Sequence, residues 1–302
     1  MSRRRIASAL ILIVFILTAA CADKAEDAEG AGSGQTQLSV VVTFDALYEI
    51  AMAVGGERAS VRSIMPDGME AHDFEPQAKD LAMLDSADVF IVNGLGLDSW
   101  AEKAANAASG GKLPLTDTSA GTKPIPLSGG EDEGHYDPHI WLSPVCAATM
   151  AENIRDAFCA ADPEGKERYH ENCSGFTRSL SELYSEYAEK LRALDNRTIV
   201  TGHAVFAYLC RDFNLVQNSV EGVFAEGEPS ARELVELIEF CIENGVTTIL
   251  TENLSSPLIA ETLAAEAGAE VKVIYTMEGS EDGLSFLDRM EMNLEAVYLA
   301  LE

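Results

Sequence analysis

Histidine is the side chain that most readily holds a divalent transition metal at neutral pH, and this chain carries five. His72 lies in Asp67-Gly-Met-Glu-Ala-His-Asp-Phe-Glu-Pro76, a polar, turn-rich stretch a few residues beyond a predicted strand. His139 lies in Asp137-Pro-His-Ile-Trp-Leu-Ser-Pro144, just before a predicted helix. His203 directly follows a β-branched run and precedes another helical stretch. Any one of these alone reads as a hydrogen-bonded structural side chain. All three occupy links between a strand's carboxyl side and a helix, where ligands gather in open α/β sheets. Together they read as nitrogen ligands converging on one ion.

A closed four-coordinate site needs one more ligand. Two acids stand just past predicted strands: Glu278 in Tyr275-Thr-Met-Glu-Gly279, and Glu252 after Val246–Thr251. Either can serve as the fourth donor, and each can equally be an ordinary loop acid. Asp137 and Asp73 adjoin ligand candidates, where a carboxylate can fix an imidazole tautomer. His135, beside Glu131, Asp132 and Glu133, can help recruit an ion or simply be a loop histidine, and His170 reads as solvent-facing. No His-Glu-x-x-His or Gly-x-Ser-x-Gly motif is present, so a metal-dependent hydrolase has no recognisable machinery.

The elements that position these residues alternate. Strands are predicted at Leu38–Phe44, Ala59–Ile64, Asp88–Asn93, Arg197–Thr201, Val216–Val220, Val246–Thr251 and Val271–Thr276. Helices are predicted at Asp45–Val54, Ala78–Ser86, Ser99–Ala107, Ala204–Phe213, Ser230–Asn244 and Pro257–Ala267. Such alternation argues for parallel sheets covered by helices. Between the third and fourth strands, residues 166–194 contain no proline, and Tyr169, Cys173, Phe176, Leu180, Tyr184, Tyr187, Leu191 and Leu194 fall three and four apart. That is one apolar stripe on a helix of roughly 40 Å. The expected fold class is α/β: two lobes with parallel-type sheets flanked by helices (38–165 and 195–302), joined by one long rigid helix (166–194). A coiled-coil dimer seam is the competing use of the stripe; a monomer is expected.

Arg3, Arg4 and Arg5, then an apolar run from Ile6 to Ala20, then Ala19-Ala20-Cys21, have the form of a signal peptide. Cys21 after two alanines resembles a bacterial lipobox, with Thr18 where leucine is usual. Residues 1–20 are thus expected to be removed, and Cys21 to carry a lipid that anchors the chain outside the cell membrane. Residues 21–37, rich in Ala, Gly, Asp and Glu, read as a flexible tether. The formal charge of −29 repels nucleic acid and anionic lipid surfaces. No nucleic-acid partner is expected. Without Cys21 the cysteines number five, none in CxxC spacing. Cys159–Cys173 and Cys210–Cys241 are possible pairs, and buried free thiols (Cys146 included) the alternative.

Taken in order, Gly68-Met-Glu-Ala-His-Asp-Phe-Glu-Pro76, Asp137-Pro-His-Ile-Trp-Leu-Ser-Pro144, Gly202-His-Ala-Val-Phe-Ala-Tyr208 and Tyr275-Thr-Met-Glu-Gly279 resemble the zinc/manganese-type substrate-binding lipoproteins of ABC importers. The resemblance covers essentially the whole mature chain. It implies two α/β lobes bridged by a backbone helix, with Zn2+ (Mn2+ as the alternative) held between them by His72, His139, His203 and Glu278. It therefore favours Glu278 over Glu252. Manganese-selective members often carry Glu at the position of His203, so His203 favours zinc. The implied partners are an ABC importer permease with its ATPase, and the implied role is capture and delivery, not catalysis. Two departures stand out: the loop before His139 is short and acidic rather than histidine-rich, and Ala71 replaces a frequent proline.

Overall fold

The structure is a computed structural model that describes residues 37–67, 69–127, 134–223, 230–252, 257–280 and 283–302. The expected signal peptide, Cys21 and nearly all the tether lie outside the described residues, as do Glu131, Asp132 and Glu133.

The first lobe runs β1 (Leu38–Val42), α1 (Asp45–Gly55), β2 (Ala59–Ser63), α2 (Ala78–Leu81), β3 (Val89–Val92), α3 (Ala101–Ala107), β4 (Leu115–Asp117) and α4 (Pro144–Ala161). Its strands are all parallel, in the order β2-β1-β3-β4. β1 and β3 are nearly continuous apolar runs because helices cover both faces of the sheet. α1 buries Leu47, Ile50, Ala51 and Val54, spaced three and four apart. Ser143 caps α4 by accepting from Cys146 N at 3.0 Å, with Pro144 in the first turn.

The long helix α5 (Lys166–Arg192) follows. Its stripe is buried through Tyr169, Cys173, Phe176, Leu180, Tyr187 and Leu191. Those residues join the core shared with α1 and α4, so the stripe is used within the chain and is not available as a coiled-coil seam.

The second lobe runs β5 (Thr198–His203), α6 (Ala207–Phe213), β6 (Val216–Glu221), α7 (Ala231–Glu243), β7 (Thr248–Glu252), α8 (Pro257–Ala267), β8 (Glu270–Ile274) and α9 (Phe286–Leu301). Its parallel order is β6-β5-β7-β8. One apolar core extends from the first sheet through α5 to Ile199, Leu250, Ile274 and the inner face of α9. A smaller core of Val200, Cys241, Val246, Ile249, Ala260, Leu263 and Ala264 lies beneath α7 and α8.

One strand was not expected, and one open alternative is decided. β4 has no counterpart among the predicted strands, because three residues with exposed or half-buried side chains leave no apolar alternation to read. The five described cysteines are free thiols, Cys159 half-buried and the others buried. Cys210 and Cys241 belong to different cores, and neither possible pair is bonded.

Candidate metal centre

In both sheets the order in which the parallel strands are laid down reverses at the middle, between β1 and β3 and between β5 and β7, and such switch points open a crevice at the carboxyl ends. His203 and Glu252 are the last residues of β5 and β7, on either side of the second switch point. His72 sits in a short helical turn, Ala71–Asp73, after β2. His139 precedes the turn Ile140–Leu142. Its loop is tied to the end of β3 by Asn93, whose Nδ2 donates to Pro138 O at 2.9 Å.

The three histidines meet. One ligand atom from each of His72, His139 and His203 lies within 4.8 Å of the others. Their ring centroids are 4.9, 5.4 and 6.0 Å apart. His139 is fully buried and His203 nearly so. Among the described residues no other group of three such side chains has this spacing.

His72 Nε2 and His139 Nε2 are 2.9 Å apart. Two imidazole nitrogens at that spacing are held by a shared proton or a cation. Tetrahedral zinc with Zn–N bonds of 2.0–2.1 Å sets its ligand nitrogens about 3.3 Å apart, so a few tenths of an ångström of opening would admit it. His203 Nε2 donates to Val223 O at 2.8 Å, which leaves the lone pair on Nδ1. An ion bound at Nε2 would have to displace that carbonyl.

Burial, with the neighbouring imidazoles, pushes His72 down to about 3. Burial and then His139 push His203 down to about 4. Both rings are therefore neutral at pH 7, the form that binds metal.

The two candidate acids are placed differently. Glu278 is 3% exposed and follows Met277, whose φ is +58°. Its Oε2 accepts from Ala71 N at 3.0 Å, one residue before His72. It is not a member of the mutually close histidine group. Glu252 is 2% exposed. Its Oε1 accepts from His203 N at 3.0 Å, and its Oε2 lies so near Gly202 that a Cβ there would be 2.4 Å away. Burial raises the Glu252 carboxyl to about 7. It braces the backbone beneath His203.

Asp137 is fully buried, and its Oδ1 accepts from both the ring Nδ1 and the backbone N of His139. His135 is exposed beside the Pro126–Tyr136 bridge and stands outside the histidine group. His170 is exposed on α5.

Several contacts were not foreseen from the sequence. Trp141 Nε1 donates to Thr276 O at 2.7 Å, and the Val223 carbonyl and the Ala71 N–H were equally unmarked. Arg289 did leave a signal. It falls on the same face of α9 as Phe286, Met290 and Asn293, where a basic side chain must be buried.

Three imidazoles and a nearby buried carboxylate suit a borderline-soft divalent ion. The family described as the periplasmic zinc-uptake complex component A matches residues 40–300. A putative metal-binding protein of Treponema pallidum is 42% identical over 275 residues, 87% of each chain. The high-affinity zinc uptake system protein ZnuA of Bacillus subtilis is 31% identical over 306 residues, 95% of each. The solved structure of a mutant laminin-binding adhesin from Streptococcus agalactiae superposes with a TM-score of 0.82 at 32% identity, covering 88% of this chain and all of that one.

Proposed function

The chain belongs to the zinc-uptake component A (ZnuA) family, and on that premise we propose that it captures zinc outside the cytoplasm and delivers it to an ABC importer. The observation that carries this reading is the convergence of His72, His139 and His203 from two sheets into one close cluster, with His139 and His203 buried and His72 half-buried. Imidazole ligands on all three positions favour zinc over manganese, which prefers more oxygen.

Glu278 is the proposed fourth ligand. It is buried and accepts from the turn that carries His72, and a swing of its side chain would bring a carboxylate to the ion. Glu252 is assigned to bracing His203, since Oε1 is engaged on that residue's backbone. Asp137 orients His139. A closed set of four protein ligands leaves no position for a reactive water, which supports transport over hydrolysis.

The finer proposals concern placement. Residues 1–20 act as a signal peptide, and lipidated Cys21 holds the chain at the outer face of the membrane as a monomer. The permease and its ATPase receive the ion.

Zinc stoichiometry and affinity, measured by chelator competition, test the core of this proposal. One zinc per chain is expected, and it should be lost in the His139→Ala/His203→Ala double variant. Full zinc affinity in that variant would overturn the site.

A further inference from the structure

The segment Tyr275–Ser280 follows β8 of the second lobe, yet most of its contacts reach the first. Thr276 O accepts from Trp141 Nε1, Glu278 O from Asp45 N at 3.4 Å, and Glu278 Oε2 from Ala71 N. Ser280 N donates to Asp67 Oδ1 at 3.4 Å. Tyr275, at the segment's start, is held by the second lobe through two bonds to Asn293 of α9. Met277, in between, keeps a left-handed backbone at φ +58° while fully buried. A non-glycine residue persists there only where its surroundings fix it.

Arg289 is what spans these two attachments. It lies on α9 and is 1% exposed. Its Nη1 donates to Gly279 O at 2.8 Å, and its Nη2 donates to Asp45 Oδ2 at 2.8 Å. One forked guanidinium therefore grips the residue after Glu278 and the first turn of α1 together. A lysine ammonium offers no such fixed fork.

We propose that Arg289 and Asp45 are a positioning pair that locks the Glu278 loop onto the first lobe, so that Glu278 meets the ion as part of the body that carries His72 and His139. This rests on Glu278 being the fourth ligand. Neither Arg289 nor Asp45 touches the ion; both act through the loop.

The test uses the full mature chain with Zn2+ for affinity and Co2+ as a spectroscopic probe of coordination number. Arg289→Lys, Asp45→Asn, Glu278→Ala and the Arg289→Lys/Glu278→Ala double variant are compared, with folding checked by circular dichroism. Asp45→Asn, nearly isosteric, serves if Arg289→Lys does not fold. Each positioning variant should weaken zinc binding about 10–100-fold, the range for residues that orient ligands. Its Co2+ visible spectrum should move towards that of Glu278→Ala. The double variant should bind no more weakly than Glu278→Ala alone, because both changes remove the same contact.

Losses that multiply in the double variant would overturn the proposal, as would folded positioning variants with wild-type affinity and spectrum. If Glu278→Ala itself binds zinc normally, the fourth-ligand assignment falls and this proposal with it. If Glu278→Ala binds weakly and the positioning variants do not, the pair alone is wrong.

Discussion

A single oxygen of Asp137 receives two hydrogen bonds from His139, one from the ring Nδ1 at 2.8 Å and one from the backbone N at 2.9 Å. A carboxylate accepts, so Nδ1 carries the proton and Nε2 presents its lone pair. The ring is thereby set in the tautomer a metal requires before any ion arrives.

Asp137→Ala should therefore weaken zinc binding by about 10–100-fold while leaving one site per chain. Competition titration against a chromophoric chelator reads this directly. Unchanged affinity would show that packing alone orients His139.

The two acids near the site should separate by variant. Glu278→Ala is expected to lower zinc affinity far more than Glu252→Gln, which keeps an oxygen to accept from His203 N. The reverse ranking would exchange their roles. Glu252→Ala, which removes the brace, should cost mainly folding stability, seen as an earlier urea midpoint.

Acidification should affect folding and binding differently. With His72 near 3 and His203 near 4 in the folded chain, and about 6.5 when unfolded, the unfolded chain takes up more protons between those values. Stability should thus be complete above pH 6.5 and decline as pH falls towards 4. Protons compete little with zinc for these two rings until pH nears 4. Urea melts and zinc titrations at pH 7, 6 and 5 check both parts. A loss steeper than the tenfold per pH unit of a single competing proton, between pH 6 and 5, would contradict the depressed values.

Trp141 joins the centre to the Glu278 loop through Thr276 O, and its ring centroid is 5.2 Å from that of His139. Trp141→Phe keeps the apolar bulk but leaves a buried carbonyl unpaired. The expected cost is about 1–3 kcal/mol by chemical denaturation, with zinc stoichiometry retained.

Much of this was legible in the chain itself. The apolar periodicity of residues 166–194 gave a helix that the structure bounds at Lys166–Arg192. The three histidines were readable from the strand-to-helix links that hold them, where ligands gather in open α/β sheets, although only His203 ends a strand. What resisted reading depends on contacts between distant residues. Asp45 and Arg289 are 244 positions apart, and Ala71 and Glu278 are 207 apart. No local pattern encodes such pairings. β4 failed for the opposite reason, since Leu115–Asp117 is too short and too exposed to show a period.

The continuous core bears on how fast an ion can leave. Phe176 and Tyr187 of α5, Leu250 of β7 and Ile274 of β8 are buried in one cluster with the first sheet. Swinging the lobes wide apart would expose that cluster to water, at roughly 25 cal/mol for every Å² of apolar surface uncovered. Ion release is then expected to proceed by ligand exchange at individual nitrogen and oxygen atoms rather than by wide separation of the lobes. A recipient that offers competing ligands at the mouth of the crevice can speed that release without unfolding anything.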